Sequence, residues 1–141
     1  MPIKSENSEK IKAKKKLGKL IASCRRNTMS QRKLAAAVGL SPSNMKYIED
    51  GVNAPSPEIY SKLIETLRPT PIQQEKMDQA YMIIRHAPPP DVSECIINDP
   101  RLLKLIRSMN TTPLTELQIR AFESLLDSFA STTTKGENNN G

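Results

Sequence analysis

The chain has 141 residues, 26% of them charged, with no tryptophan, which leaves room for one domain, or one small domain with an appendage, around a core expected to be mostly aliphatic. No apolar run approaches the roughly 18 residues of a membrane span, and no apolar stretch of a secretion signal opens the chain. The net charge of +6 is uneven, with 12 basic against 4 acidic residues in 1–50 and 9 against 11 beyond, so a polyanion-binding half is joined to a mildly acidic one.

Residues 1–16 form a basic N-terminal arm with lysines at 4, 10, 12, 14, 15 and 16. Its first half reads as unstructured, and from about Ser8 it can extend the first helix. Leu17 to Asn27 is the first full helix, with Leu17, Leu20, Ile21 and Cys24 at i, i+3, i+4 and i+7 on a core stripe. Cys24 therefore reads as a small buried hydrophobe. Cys24 and Cys95 lie far apart and are expected as free thiols of a reducing cytosol.

Gln31 to Val38 is a short helix that Gly39 stops in the left-handed conformation. Ser41-Pro42 opens the next, over 42–50, with a capping hydroxyl and a proline where no N–H is missed. Met45 and Ile48 make its buried stripe, while Ser43, Asn44, Lys46 and Tyr47 stay on its outer face and Gly51 ends it. A second helix held crosswise by a glycine turn is the device that lays a helix in the DNA major groove.

Ser56-Pro57 opens a helix to Leu67 with Ile59, Leu63, Ile64 and Leu67 inward. Thr70-x-x-Gln73 is a capping box that opens a helix to about His86, on which Met77, Ala80, Tyr81 and Ile84 share a face. Pro88-Pro89-Pro90 reads as an extended linker. Short helices follow over 91–98 and 100–109, and Thr115-x-x-Gln118 opens one to Ala130. Five Ser/Thr/Asp-Pro pairs, including Asp99-Pro100 and Thr112-Pro113, read as helix starts. Three such helices bury too little to stand alone, so Leu103, Ile106, Phe122, Leu125 and Phe129 are candidates for a dimer surface or an intrachain core. Residues 131–141 contain no apolar side chain and read as a disordered tail.

The pieces LGKLI at 17–21, SQRKLAAAVGLS at 30–41, IEDG at 48–51 and Pro55-Ser56-Pro57 together resemble the helix-turn-helix domain of Cro and lambda-repressor-like regulators, the xenobiotic-response-element family. The resemblance implies an all-α chain: a lambda-repressor-like helix-turn-helix DNA-binding domain over 17–68, followed by a small C-terminal helical region over 70–130. It further implies a sequence-specific regulator of transcription, a repressor, that binds double-stranded DNA and reads the major groove with the helix 42–50. Gln31 matches the family's phosphate-binding position, with Arg32, Lys15, Lys16 and Lys19 adding charge and Asn53 supplying a polar group in the loop after the reading helix. Ser41, Pro42, Ser43, Asn44, Lys46 and Tyr47 are the candidate contacts of that helix. Relatives commonly carry an arginine where this chain has Cys24, paired with the glutamate matching Glu49. Here Glu49 must turn to Arg25, Lys46, a backbone donor or solvent.

Relatives bind as dimers to half-sites about one helical turn apart, so a homodimer through 91–130 is expected, with a further protein partner possible. The alternatives are an antitoxin-type regulator that also binds a toxin, and a protein- or RNA-binding adaptor on the same fold. There is no phosphate loop, nucleophile–histidine pair or metal-ligand spacing, so no enzyme activity, cofactor or metal is expected, in a cytoplasmic protein.

Overall fold

A computed structural model describes residues 2–111 and 113–137, and every regular element among them is a helix. The eight helices are α1 (Pro2–Arg26), α2 (Gln31–Val38), α3 (Pro42–Glu49), α4 (Pro57–Leu67), α5 (Pro71–Arg85), α6 (Pro90–Asn98), α7 (Arg101–Thr111) and α8 (Glu116–Glu137). They fall into two units, residues 1–98 and 99–141.

Local chemistry sets the helix ends. Ser30, Ser41, Ser56 and Thr70 are extended N-caps whose oxygens accept the backbone N–H three residues on, and Pro42, Pro57 and Pro71 follow their caps directly. Thr70 and Gln73 close the expected capping box, and Thr115 with Gln118 forms a second at the start of α8. Gly39 closes α2 at φ 79°. Arg68 and His86 close α4 and α5 in the same left-handed region without being glycines.

In the first unit α1 packs along α5 and against α2, α3 and α4, while α2 packs on α3 and α4, and α4 on α6. Ala13, Leu17, Ile21, Leu34, Ala35, Val38, Met45, Ile48, Leu63, Leu67, Met77, Ala80 and Ile84 are buried in one cluster, with Leu20, Cys24 and Leu40 packed at its edge. Two tyrosines complete it. Tyr60 and Tyr81 stack with ring centroids 4.3 Å apart and are the largest fully buried side chains. The expectation of a mostly aliphatic core holds near α2 and α3 but not between α4 and α5. Tyr60 donates its hydroxyl hydrogen to Asp78 Oδ1 at 2.6 Å, which lets so polar a ring sit inside.

Several sequence expectations change. The basic segment 1–16 is not a separate arm: α1 starts at Pro2, because its lysines, alanines and glutamates are good helix formers and Ala13 and Leu17 anchor it in the core. The helix-turn-helix unit does not end at 68, because α5 supplies one wall of the same core and α6 packs on α4. The second unit thus starts at Asp99, not at 70 or 91. Pro88-Pro89-Pro90 is only partly a linker, since Pro89 is buried and Pro90 opens α6. Thr112 lies outside the described residues, and no helix starts at Pro113. Thr115 caps α8 instead. The tail expected from Ser131 continues α8 to Glu137, since no proline or glycine intervenes before Gly136 and extending a formed helix costs little. Residues 138–141 lie outside the described residues.

Candidate nucleic-acid interface

α2 and α3 pack on each other across the Gly39–Ser41 turn. Leu40 donates its N–H to Ala35 O at 2.8 Å while its side chain lies against the core. Met45 and Ile48 point inward from α3, and Pro42, Ser43, Asn44, Lys46 and Tyr47 are exposed. Ser41 is exposed too, but its Oγ accepts the Asn44 N–H at 3.2 Å, so its first role is to cap α3.

α3 is locked in place at its C-terminal end. Gly18 of α1 lies so close that a Cβ there would stand 2.4 Å from Glu49 O and 2.5 Å from Ile48 O. Only a glycine lets α1 cross there. Gly51, at φ 77°, packs on Lys15, whose Cα would lie 2.6 Å from an added Cβ. The loop then folds back, with the N–H groups of Val52 and Asn53 both donating to Tyr47 O at 2.9 and 3.2 Å. Arg85 of α5 holds the loop from behind, donating to Pro55 O at 2.7 Å and Ala54 O at 3.3 Å. Nothing in the sequence flags that role, beyond a basic residue in the last turn of α5.

Glu49 finds its partner in the neighbouring arginine. Arg25 donates from Nε to Glu49 Oε1 at 2.5 Å, from Nη2 to Oε2 at 3.2 Å, and from Nη1 to Met29 O at 3.2 Å. Gln31 Nε2 donates to the same Oε2. The carboxylate is only 5% exposed, and with three donors on it the charge is compensated. The structure therefore ties Gln31, at the first position of α2, to the C-terminal end of α3. Arg32 and Lys33 stay exposed beside it. Lys15 reaches the α3 loop through Gly51, whereas Lys16 and Lys19 are exposed along α1 with no contact that brings them to α3. Asn53 is exposed on the loop. Cys24 is half-buried and free, and burial pushes its thiol up, away from reactive thiolate.

A short helix presenting polar side chains outward, packed on its predecessor across a glycine turn and flanked by a helix N-terminus and lysines, defines a helix-turn-helix nucleic-acid-binding domain. Residues 21–74 match a helix-turn-helix family model, which supports the resemblance of this segment to the DNA-binding domain of Cro and lambda-repressor-like regulators. No curated protein and no solved structure gives a significant match. No described helix is long and apolar enough to cross a membrane, and among the described residues no three His, Cys, Asp or Glu side chains converge as metal ligands.

Proposed function

We propose that this protein is a cytoplasmic, non-enzymatic repressor that binds a specific double-stranded DNA site as a homodimer. The observation that carries the reading is the division of α3: Met45 and Ile48 are buried, while Pro42, Ser43, Asn44, Lys46 and Tyr47 form one exposed face. Asn44 is suited to a bidentate contact with adenine N6 and N7, Ser43 to either kind of edge, and Pro42 to a thymine methyl. Gln31, Arg32, Lys15, Lys16, Lys19 and Asn53 supply phosphate contacts. Gln31 Nε2 already donates to Glu49 Oε2, so in this reading the phosphate is met by its second amide hydrogen and by the free backbone N–H groups at the α2 N-terminus.

The experiment is selection from random duplexes at physiological salt, followed by the same selection with Asn44→Ala. A two-fold site with half-sites about one turn apart is expected for the native chain. The variant is expected to lose about 1–3 kcal/mol of discrimination at one base position per half-site and to keep its non-specific binding. An unchanged preference in the variant removes Asn44 as a reader, and no enrichment for the native chain sinks the reading.

A further inference from the structure

The loop between α3 and α4 cannot secure its own exit. Pro55 and Pro57 lack an N–H, and the N–H groups of Val52 and Asn53 are both spent on Tyr47 O. Ser56 O, at the cap of α4, accepts the Tyr60 N–H at 2.8 Å. Ala54 O and Pro55 O stand just before it, outside the helix ladder, and need donors from elsewhere.

Arg85 supplies them. It sits in the last turn of α5, directly ahead of the left-handed His86. Its Nε and Nη2 donate to Pro55 O at 3.2 and 2.7 Å, and Nη2 also reaches Ala54 O at 3.3 Å. Among the described residues no carboxylate pairs with it, so its fork serves these two carbonyls. A lysine ammonium is a point charge and lacks that planar fork. The loop is thus pinned at both ends: at its entry by Tyr47 O and by Gly51 packed on Lys15, at its exit by Arg85. Asn53 is exposed between the pins. An anion at this loop meets the Asn53 amide, because the N–H groups of Val52 and Asn53 are already taken.

We propose that Arg85 is a positioning residue for DNA binding, which fixes the loop so that Asn53 meets a phosphate and does not itself touch the duplex. The proposal rests on the duplex-binding reading above and adds α5 to the elements that build the interface. A loop already fixed in the free protein loses little conformational freedom on binding. Arg85 therefore acts through Asn53, and its effect on binding vanishes where Asn53 is absent.

The test uses full-length Arg85→Ala, Arg85→Lys, Asn53→Ala and the double variant Arg85→Ala with Asn53→Ala. Circular dichroism checks that each is folded, and Arg85→Lys carries both readings if Arg85→Ala is not. Hydrogen exchange without DNA reads the loop. The Val52 and Asn53 amides are expected to exchange about tenfold faster or more in both Arg85 variants, while the amides of α2 change by less than about threefold. Fluorescence anisotropy on a mixed-sequence duplex reads binding, since a phosphate contact needs no particular base. Each single variant is expected to bind about three- to tenfold more weakly, Arg85→Lys as poorly as Arg85→Ala, and the double variant within about twofold of the weaker single. The logarithmic salt slope of Arg85→Ala is expected to stay within about half a unit of native, because no cation leaves a phosphate. Unchanged loop exchange in the Arg85 variants overturns the positioning. Additive losses, native affinity in Arg85→Lys, or a slope lower by about one in Arg85→Ala would make Arg85 a contact in its own right and overturn the proposal. A native chain that binds no duplex sinks the DNA reading, and this role with it, even where loop exchange responds as expected.

Discussion

Tyr60 and Asp78 show what a half-buried polar pair costs and contributes. The Tyr60 hydroxyl donates to Asp78, and burial pushes Asp78 above its ordinary value of 3.8, with the nearby Asp91 adding to the rise and the tyrosine hydrogen bond opposing it. A carboxyl with a raised folded-state pKa favours folding most below its unfolded value and loses that contribution as pH rises through the folded one. Asp78→Asn keeps an oxygen for Tyr60 and removes the charge. The variant should therefore gain stability relative to the native chain as pH rises from about 4 to 7, read as urea midpoints across that range. A difference that stays flat with pH would refute the burial argument. Tyr60→Phe keeps the stack on Tyr81 but strips Asp78 of its donor, and should cost about 1–3 kcal/mol in the same titration. Gly18 acts through space alone. Gly18→Ala drives a methyl into the backbone carbonyls of Ile48 and Glu49 and should cost about 1–3 kcal/mol, with α3 displaced to relieve the clash. Native-like stability and native-like duplex affinity in that variant would mean that the α1–α3 crossing is looser than the geometry requires.

At the level of elements, the helix ends were the most legible feature of the sequence, because a cap is a local event between residues three apart. Ser41-Pro42, Ser56-Pro57 and Thr70-Pro71 each start a helix as read, and α2 and α3 lie where the apolar spacing put them. The extent of α1 and α8 was not legible, because lysine-rich and threonine-rich stretches signal solvation whether or not they are helical. What extends them is continuity with a packed segment. The left-handed ends allow a matched test. An added Cβ at Gly39 meets no heavy atom within 4 Å, so Gly39→Ala isolates the backbone cost, about 1–2 kcal/mol. His86 holds the same kind of position at φ 50° without a glycine, so His86→Gly should stabilise by a few tenths to about 1 kcal/mol. Thermal or urea unfolding of both variants checks the pair, and opposite signs are expected. Two changes of the same sign would show that the caps are not set by backbone conformation.

For the molecule as a whole, the family resemblance was carried by short motifs and the outward face of α3 by apolar spacing, but the partners of buried polar groups had no such signal. The sequence offers Glu49 several donors, and the packing brings Arg25 and Gln31 to it together. Tyr60 sat beside an apolar stripe that already looked complete, so its stacking on Tyr81 had no sequence signal. The assignment of α5 to the first core was hidden for the same reason, since an amphipathic helix does not announce which surface it covers. What composition did state was the charge, +8 over residues 1–50. With α1 a helix, Lys12, Lys15, Lys16 and Lys19 share its exposed side, and Lys15 abuts the loop that ends α3. If this side contributes to some six to ten phosphate contacts per dimer, duplex affinity should fall by about three to five decades between roughly 50 and 200 mM salt. Each of Lys15→Ala and Lys19→Ala that removes a contact should lower the logarithmic salt slope by about one per phosphate lost, weakening all sequences alike. Fluorescence anisotropy over a salt series reads both quantities. Unchanged slopes in both variants would place the phosphate contacts on α2 and the α3 loop, with the lysines of α1 left to solvation.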